Sequence, residues 1–201
     1  MPRPALNKSS LKQQQDQLGL YKQYLPSLDL KRQQFLALVK AEEKRLAELE
    51  EGIAALVQEA EGWLPFLANE GIDLAGLVTM AEVEVGEENH LGVTLPRLDK
   101  VRFARQDYSP FRKPLWVDGL ARLLEKVGEL RVKKELAGRR VALLRAELRT
   151  ITQRVNLFDK VLIPSAQGHI RTIGIALSDM ERAGVVRAKI AKKKRQQQRG
   201  H

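Results

Sequence analysis

The sequence predicts a mainly α fold: a long antiparallel two-helix coiled coil formed by the N- and C-terminal segments, with a small middle subdomain containing a short β-hairpin. Val141, Leu144, Leu148, Ile151, Val155, Phe158 and Leu162 recur at alternating steps of three and four. Leu46, Leu49, Ile53, Leu56, Ala60, Trp63 and Leu67 keep the same rhythm nearer the start. Such spacing puts an apolar stripe along one side of a helix, and two stripes bury each other by winding with a slight left-handed supercoil. Aromatic residues are only 5% of the chain against 43% hydrophobic. That balance suits the thin Leu/Ile/Val/Ala core of a paired-helix rod better than a globule. The expected organisation is an N-terminal helix over residues 1–68, a middle subdomain over 69–113, a C-terminal helix over 114–195 and a flexible basic tail over 196–201.

Asn7, Ser9 or Ser10 can cap the first helix, since a short polar side chain accepts from the free amides of the first turn. Leu11, Leu18, Leu25, Leu28 and Phe35 carry the stripe forward, and Pro26 predicts a kink. Asn69, Gly71 and Gly76 break the helix. Residues 81–85 alternate apolar and acidic side chains, the period of a half-buried strand. Residues 86–89 read as a turn, residues 92–96 as a second strand and residues 100–104 as a third. The second long helix begins near Pro114 or Asp118 and is interrupted at Pro164, after which Ile170, Ile173, Leu177 and Met180 continue the stripe. If Ser9 meets a residue near Ile190, then Pro26 and Pro164 fall at nearly the same level of the pair.

Charge is unevenly spread. The formal net charge is +10, yet residues 42–99 hold fourteen acids against three bases, and residues 182–201 hold eight bases and no acid. No cysteine is present, so thiolate and Cys-metal chemistry are excluded. No apolar run approaches the roughly 18–20 residues of a membrane helix, and residues 1–10 lack the apolar core of a secretory signal; the default is a soluble intracellular protein. A basic tail can bind nucleic acid through counterion release, but residues 183–201 contain no aromatic for base stacking. The remaining readings of the tail are a solvated helix end and a docking tip.

Catalytic chemistry is absent from the pattern. There is no glycine-rich phosphate loop. His90, His169 and His201 lie far apart, and His169 falls near the stripe, where packing or capping is its expected role. The carboxylates Glu42/Glu43, Glu50/Glu51 and Glu87/Glu88 are sequence neighbours, which point apart on a helix and form no acid/base dyad. Their expected place is a solvated face. No catalytic residue, cofactor site or metal site is predicted.

Residues 152–164, TQRVNLFDKVLIP, resemble the C-terminal signature of the central-stalk D subunits of the V/A-type rotary ATPases, a T-x-R-R-V-N-A-L-E-x-V-x-I-P run. Arg154, Val155, Asn156, Ile163 and Pro164 carry the match, while Gln153 replaces an arginine and Leu157-Phe158 replaces Ala-Leu. His169-Ile170-Arg171 with Ile173 is similar to the family's I-R-x-I, and residues 83–85 and 92–98 are similar to its V-E-V-E…G-V-x-V-P-x-I. The resemblance implies a non-catalytic central rotor shaft, needing no cofactor, that couples ATP synthesis or hydrolysis in a catalytic hexamer to ion translocation by a membrane ring. It implies as partners the catalytic and non-catalytic hexamer subunits, a small central-stalk subunit and a membrane-ring adaptor, with no direct nucleic acid and no membrane insertion. It also implies a cytoplasmic place, peripheral on the inner membrane face. The positive tip would enter the hexamer, with Lys8, Lys12, Arg187, Lys189, Lys192 and Lys194 as candidate contacts. The competing expectation is a free-standing coiled-coil adaptor or nucleic-acid-binding protein that uses the basic tail.

Overall fold

Asn7 starts the first helix: its Oδ1 accepts a hydrogen bond from the Ser10 N–H at 2.7 Å, and its carbonyl accepts from Leu11 at 3.1 Å. One of the free amides of the first turn, that of Ser10, is thereby satisfied. The computed structural model describes residues 4–62, 65, 76–105 and 116–198. The order is α1 (Lys8–Glu61), β1 (Val78–His90), β2 (Val93–Arg105), α2 (Trp116–Leu157), a π-helical turn (Phe158–Leu162) and α3 (Ile163–Gln198). The chain divides into two compact units, residues 1–32 with 150–201, and residues 33–149. The expected breaks at Asn69 and Gly71, the expected boundaries at 68 and 113, and the start at Pro114 lie outside the described residues; so do residues 199–201 of the expected tail.

In the first unit α1 pairs antiparallel with the C-terminal helix. Tyr21 meets Phe158 edge to face with ring centroids 5.5 Å apart, Gln14 Oε1 lies 3.2 Å from His169 Nδ1, and Lys8 lies 3.6 Å from Glu181. The expected register is therefore corrected. The start of α1 meets residue 181, not one near 190, because polar partners as well as apolar spacing set the pairing. Pro26 and Pro164 consequently do not share a level. They stand two to three turns apart, about 10–16 Å at a 1.5 Å rise per residue.

α1 stays α-helical through Pro26. Proline gives no N–H to the carbonyl of residue 22 and crowds it. Pro26→Ala is therefore expected to stabilise the protein by about 2 kcal/mol, read as a higher urea midpoint with an unchanged slope.

In the second unit α1 and α2 are again antiparallel. Lys134 reaches Glu50 at 2.9 Å, Arg145 reaches Glu43 at 2.6 Å, and a Cβ at Gly52 would sit 3.5 Å from Leu130 Cδ1. Phe35, Val39, Val141 and Leu144 are buried between the helices. At the other end Leu77, Val117, Leu120, Ala121 and Leu123 form a cluster against Leu56 and Ala60.

The middle of the sequence is one hairpin rather than a turn followed by two short strands. β1 and β2 pair antiparallel from Val78↔Arg105 to His90↔Val93, with Gly86 opposite Arg97. Residues 86–89 are strand, and residues 93–96 and 100–104 belong to the same strand. Register shifts leave Ala81 and Asp99 as extra residues, and such bulges break the strict alternation that identifies a strand. The turn falls at Leu91 and Gly92, with φ of 54° and 90°, as a two-residue hairpin loop twisted to match its strands requires. Gly86 leaves room for a side chain: a Cβ there would overlap the Asp99 carboxylate unless that side chain moved.

Candidate functional site, an exposed helix end and a latched hairpin

The six basic residues expected at the tip all belong to the first unit and are exposed. Lys8 shares a loose, solvated ion pair with Glu181. Arg187 Nε donates back to the Ala183 carbonyl of its own helix at 3.3 Å. Lys12, Lys189, Lys192 and Lys194 have no ion pair among the described residues. Because α1 begins at Lys8, opposite Glu181, α3 continues beyond its partner through residues 182–198. Among the described residues that is about 25 Å of helix without a second helix beside it, at 1.5 Å per residue. Val185, Val186 and Ile190 are each more than half exposed there. A helix this charged gains little from packing on itself, and its apolar side chains bury little in the isolated chain. The arrangement fits contact with another molecule.

The five signature residues divide by face around the π turn. Val155 is buried in the stripe, Ile163 is half-buried, and Arg154, Asn156 and Pro164 are exposed. The Ile163 N–H reaches back five residues to the Phe158 carbonyl, which widens the turn just before Pro164. The wide turn relieves crowding between the proline ring and the carbonyl of residue 160. It also absorbs one residue of register. The stripe steps 155, 158, 162 and then 166, with Ala166 and Ile173 buried after it. The periodicity hinted at this, since two successive steps of four do not fit a heptad.

The second unit contains a group that sequence reasoning missed. Arg140 lies on α2 with only 8% of its side chain exposed. Its Nη2 donates to Glu42 Oε1 on α1 at 2.6 Å. Its Nη1 donates to Glu88 Oε1 on β1 and, at 3.1 Å, to the Pro96 carbonyl on β2. His90 Nε2 stands 3.2 Å from the same Glu88 oxygen. One guanidinium thus ties the hairpin to both helices. Glu42 and Glu88 do not lie on a solvated face as expected. The legible signal was Glu42 itself, an acid at the seam position between Val39 and Leu46. His169 takes the packing role expected of it, half-buried beside Gln14.

The Arg140 hydrogen bond, helped by its charge, holds the Glu88 carboxyl below its ordinary value of 4.5 against the opposing effect of burial. For Arg140, burial disfavours the cation most, but hydrogen bonds to Glu42 and Glu88 outweigh it, and the group is held above its ordinary value. Arg105 lowers Glu125 in the same manner through a two-point contact at 2.6 and 2.7 Å. A depressed carboxylate contributes stability that is present above its unfolded pKa and lost as pH falls through its folded one. Urea midpoints should therefore hold from pH 7 to 5 and drop below about pH 4.5. Glu88→Gln is expected to be less stable at pH 7 and to show a shallower acid drop.

A family model describing the D subunit of ATP synthase matches residues 10–193, spanning both paired-helix segments and the hairpin. The chain belongs to the ATP synthase D-subunit family. It is 34% identical over 194 residues to the V-type ATP synthase D subunit of Borreliella burgdorferi, covering 96% of this chain and 95% of that one. To the V-type ATP synthase D subunit of Chlamydia muridarum it is 34% identical over 200 residues, 96% of each chain. The corresponding Chlamydia trachomatis protein is 32% identical with the same coverage. Among the described residues no helix is long and apolar enough to cross a membrane.

Proposed function

We propose that this chain is the non-catalytic rotor shaft of a V-type ATP synthase, turning inside a hexamer of catalytic and non-catalytic subunits and joining it to an ion-translocating membrane ring. A shaft has two physical requirements. It must resist twisting, and it must present different faces to successive catalytic interfaces. Heptad packing supports the first, and polar partners within the helix pairs (Gln14 with His169, Glu42 with Arg140) add a fixed register. Such partly or wholly buried polar pairs tolerate sliding poorly, since a displaced partner leaves the other unsatisfied. The hairpin on one side of the second unit and the π turn on only one helix support the second requirement.

The observation that carries the reading is the single helix beyond Glu181, exposed, basic and partly apolar, in a chain of this family. In the proposed assembly residues 182–198 enter the hexamer, and Lys8, Lys12, Arg187, Lys189, Lys192 and Lys194 contact its lining. A small central-stalk subunit and a ring adaptor complete the shaft, and the chain sits peripherally on the cytoplasmic face without entering the bilayer. Its side chains take no part in bond making; they transmit torque.

Removing residues 186–201 tests this. The truncated chain is expected to fold, because residues 186–196 are exposed, while assembly with the hexamer or coupling of ATP hydrolysis to ion transport falls at least tenfold. Full coupling in the truncated complex would refute the placement of this helix. A nucleic-acid-binding role instead predicts that the intact chain retains duplex or single strands with a steep inverse salt dependence.

A further inference from the structure

The two strands of the hairpin are not equivalent. β2 lies against the helices: Leu95 is buried, Leu98, Val101 and Phe103 are half-buried, and Arg105 is clamped to Glu125 on α2. The Phe103 ring approaches α2 so closely that a Cβ at Gly128 would come within 2.7 Å of it. β1 is fastened at its two ends, by Leu77 and Val78 in the apolar cluster and by Glu88 on Arg140. Between them residues 79–85 are all exposed.

That exposed stretch has the chemistry of a strand awaiting a neighbour. Among the described residues the sheet has two strands only, so the outer edge of β1 carries unpaired N–H and C=O groups. Met80, Val83 and Val85 form an apolar row, 49%, 37% and 50% exposed. The row runs into a groove of about 390 Å³ lined by Val57, Leu124 and Val127. Proteins usually blunt such an edge with charged side chains, lysine above all, with proline or with a bulge; β1 has the Ala81 bulge and glutamates. β2 has Pro96, Arg97, Lys100 and Arg102, whereas β1 has no proline, lysine or arginine. Its charges are acidic. Glu82 is matched by Arg102 at 3.3 Å, while Glu84 and Glu87 have no ion pair among the described residues.

Those charges select the occupant. A second copy pairing β1 with β1 would set acid against acid. A copy offering its basic β2 would make a head-to-tail contact that leaves another edge free, and so would grow without closing. We propose that the outer edge of β1 receives an extended segment of a different subunit as a third strand, with apolar side chains over Met80, Val83 and Val85 and lysine or arginine opposite Glu84 and Glu87. Backbone hydrogen bonds along the edge supply binding, and the alternating side chains supply selectivity. The inference rests on the assembly reading above.

Hydrogen exchange read residue by residue tests it, comparing the chain alone with the complex reconstituted from the ATP synthase subunits of the same cell. Alternate amides within residues 79–87, free in the chain alone, are expected to slow at least tenfold on assembly, with β2 amides unchanged. In Glu84→Lys/Glu87→Lys that protection is expected to disappear while helix-mediated assembly persists. Assembly with unchanged exchange over 79–87 overturns the strand addition alone, and equal protection in the charge-reversed variant overturns the basic partner. Failure of the chain to assemble at all overturns the shaft reading first, and this inference with it.

Discussion

Arg140→Ala is expected to destabilise the second unit by about 3–5 kcal/mol, the range for removing one partner from a buried ion pair. The loss exceeds that of a surface salt bridge, about 0–1 kcal/mol, because two carboxylates remain behind. Glu42 is left beside the apolar seam, where charge is poorly solvated, and Glu88 and the Pro96 carbonyl lose the donor that fixes the hairpin. Arg145 sits five residues along the same helix, paired with Glu43 but well exposed, and Arg145→Ala should cost less than about 1 kcal/mol. The contrast separates burial from charge.

The same site predicts an asymmetry. Arg140 Nε and Glu42 Oε2 are buried without a hydrogen-bond partner among the described residues, so the pair is imperfectly satisfied. Replacing it whole, as Arg140→Met with Glu42→Leu, is expected to recover most of the loss in the helix pair. It should not restore the hairpin, whose Glu88 would still lack its donor. Chemical denaturation measures the first effect, and amide exchange across residues 86–97 measures the second. Equal destabilisation by Arg140→Ala and Arg145→Ala would show that the guanidinium is not the latch.

The helices were readable because a heptad is a property of one strand of sequence. Every apolar seam position named from Leu46 to Ala60 is half-buried, and those from Val141 to Leu162 are buried or half-buried. The hairpin was only partly readable. Its alternation at residues 81–85 was visible, but Ala81 and Asp99 each add one residue and invert the phase. Leu91 adopts a positive φ that leucine rarely takes, so the turn was assigned to the more polar residues just before it. Register between helices is a pairwise property, which one strand of sequence reports poorly. That is why the start of α1 was expected opposite residue 190 and lies opposite 181, and why the length of unpaired helix emerged only from the structure. The basic positions of the candidate tip were legible as composition; the absence of a second helix beside them among the described residues was not.

Ile173→Ala is expected to cost about 3 kcal/mol, within the range for emptying a fully enclosed aliphatic site, and it tests the π turn directly. A strict heptad continued from Phe158 and Leu162 would place residues 165, 169, 172 and 176 in the seam. The structure puts Ile173 there with no exposed surface and leaves Thr172 outside, its hydroxyl donating to the Gly168 carbonyl at 3.0 Å. The extra residue held in the π turn makes that difference. Thr172→Ala should therefore change stability by less than about 1 kcal/mol, as an exposed helical substitution does. Ile175→Ala should do the same, since Ile175 is 56% exposed. If the wide turn closed into ordinary α-helix in solution, the downstream face would rotate by about 100°, one residue's worth of helix. The order of effects would then invert, with Thr172→Ala the costly change. Urea denaturation of the three variants decides between the two faces. The result fixes which side chains the exposed end of α3 presents to a partner, because every residue beyond the π turn inherits its rotation.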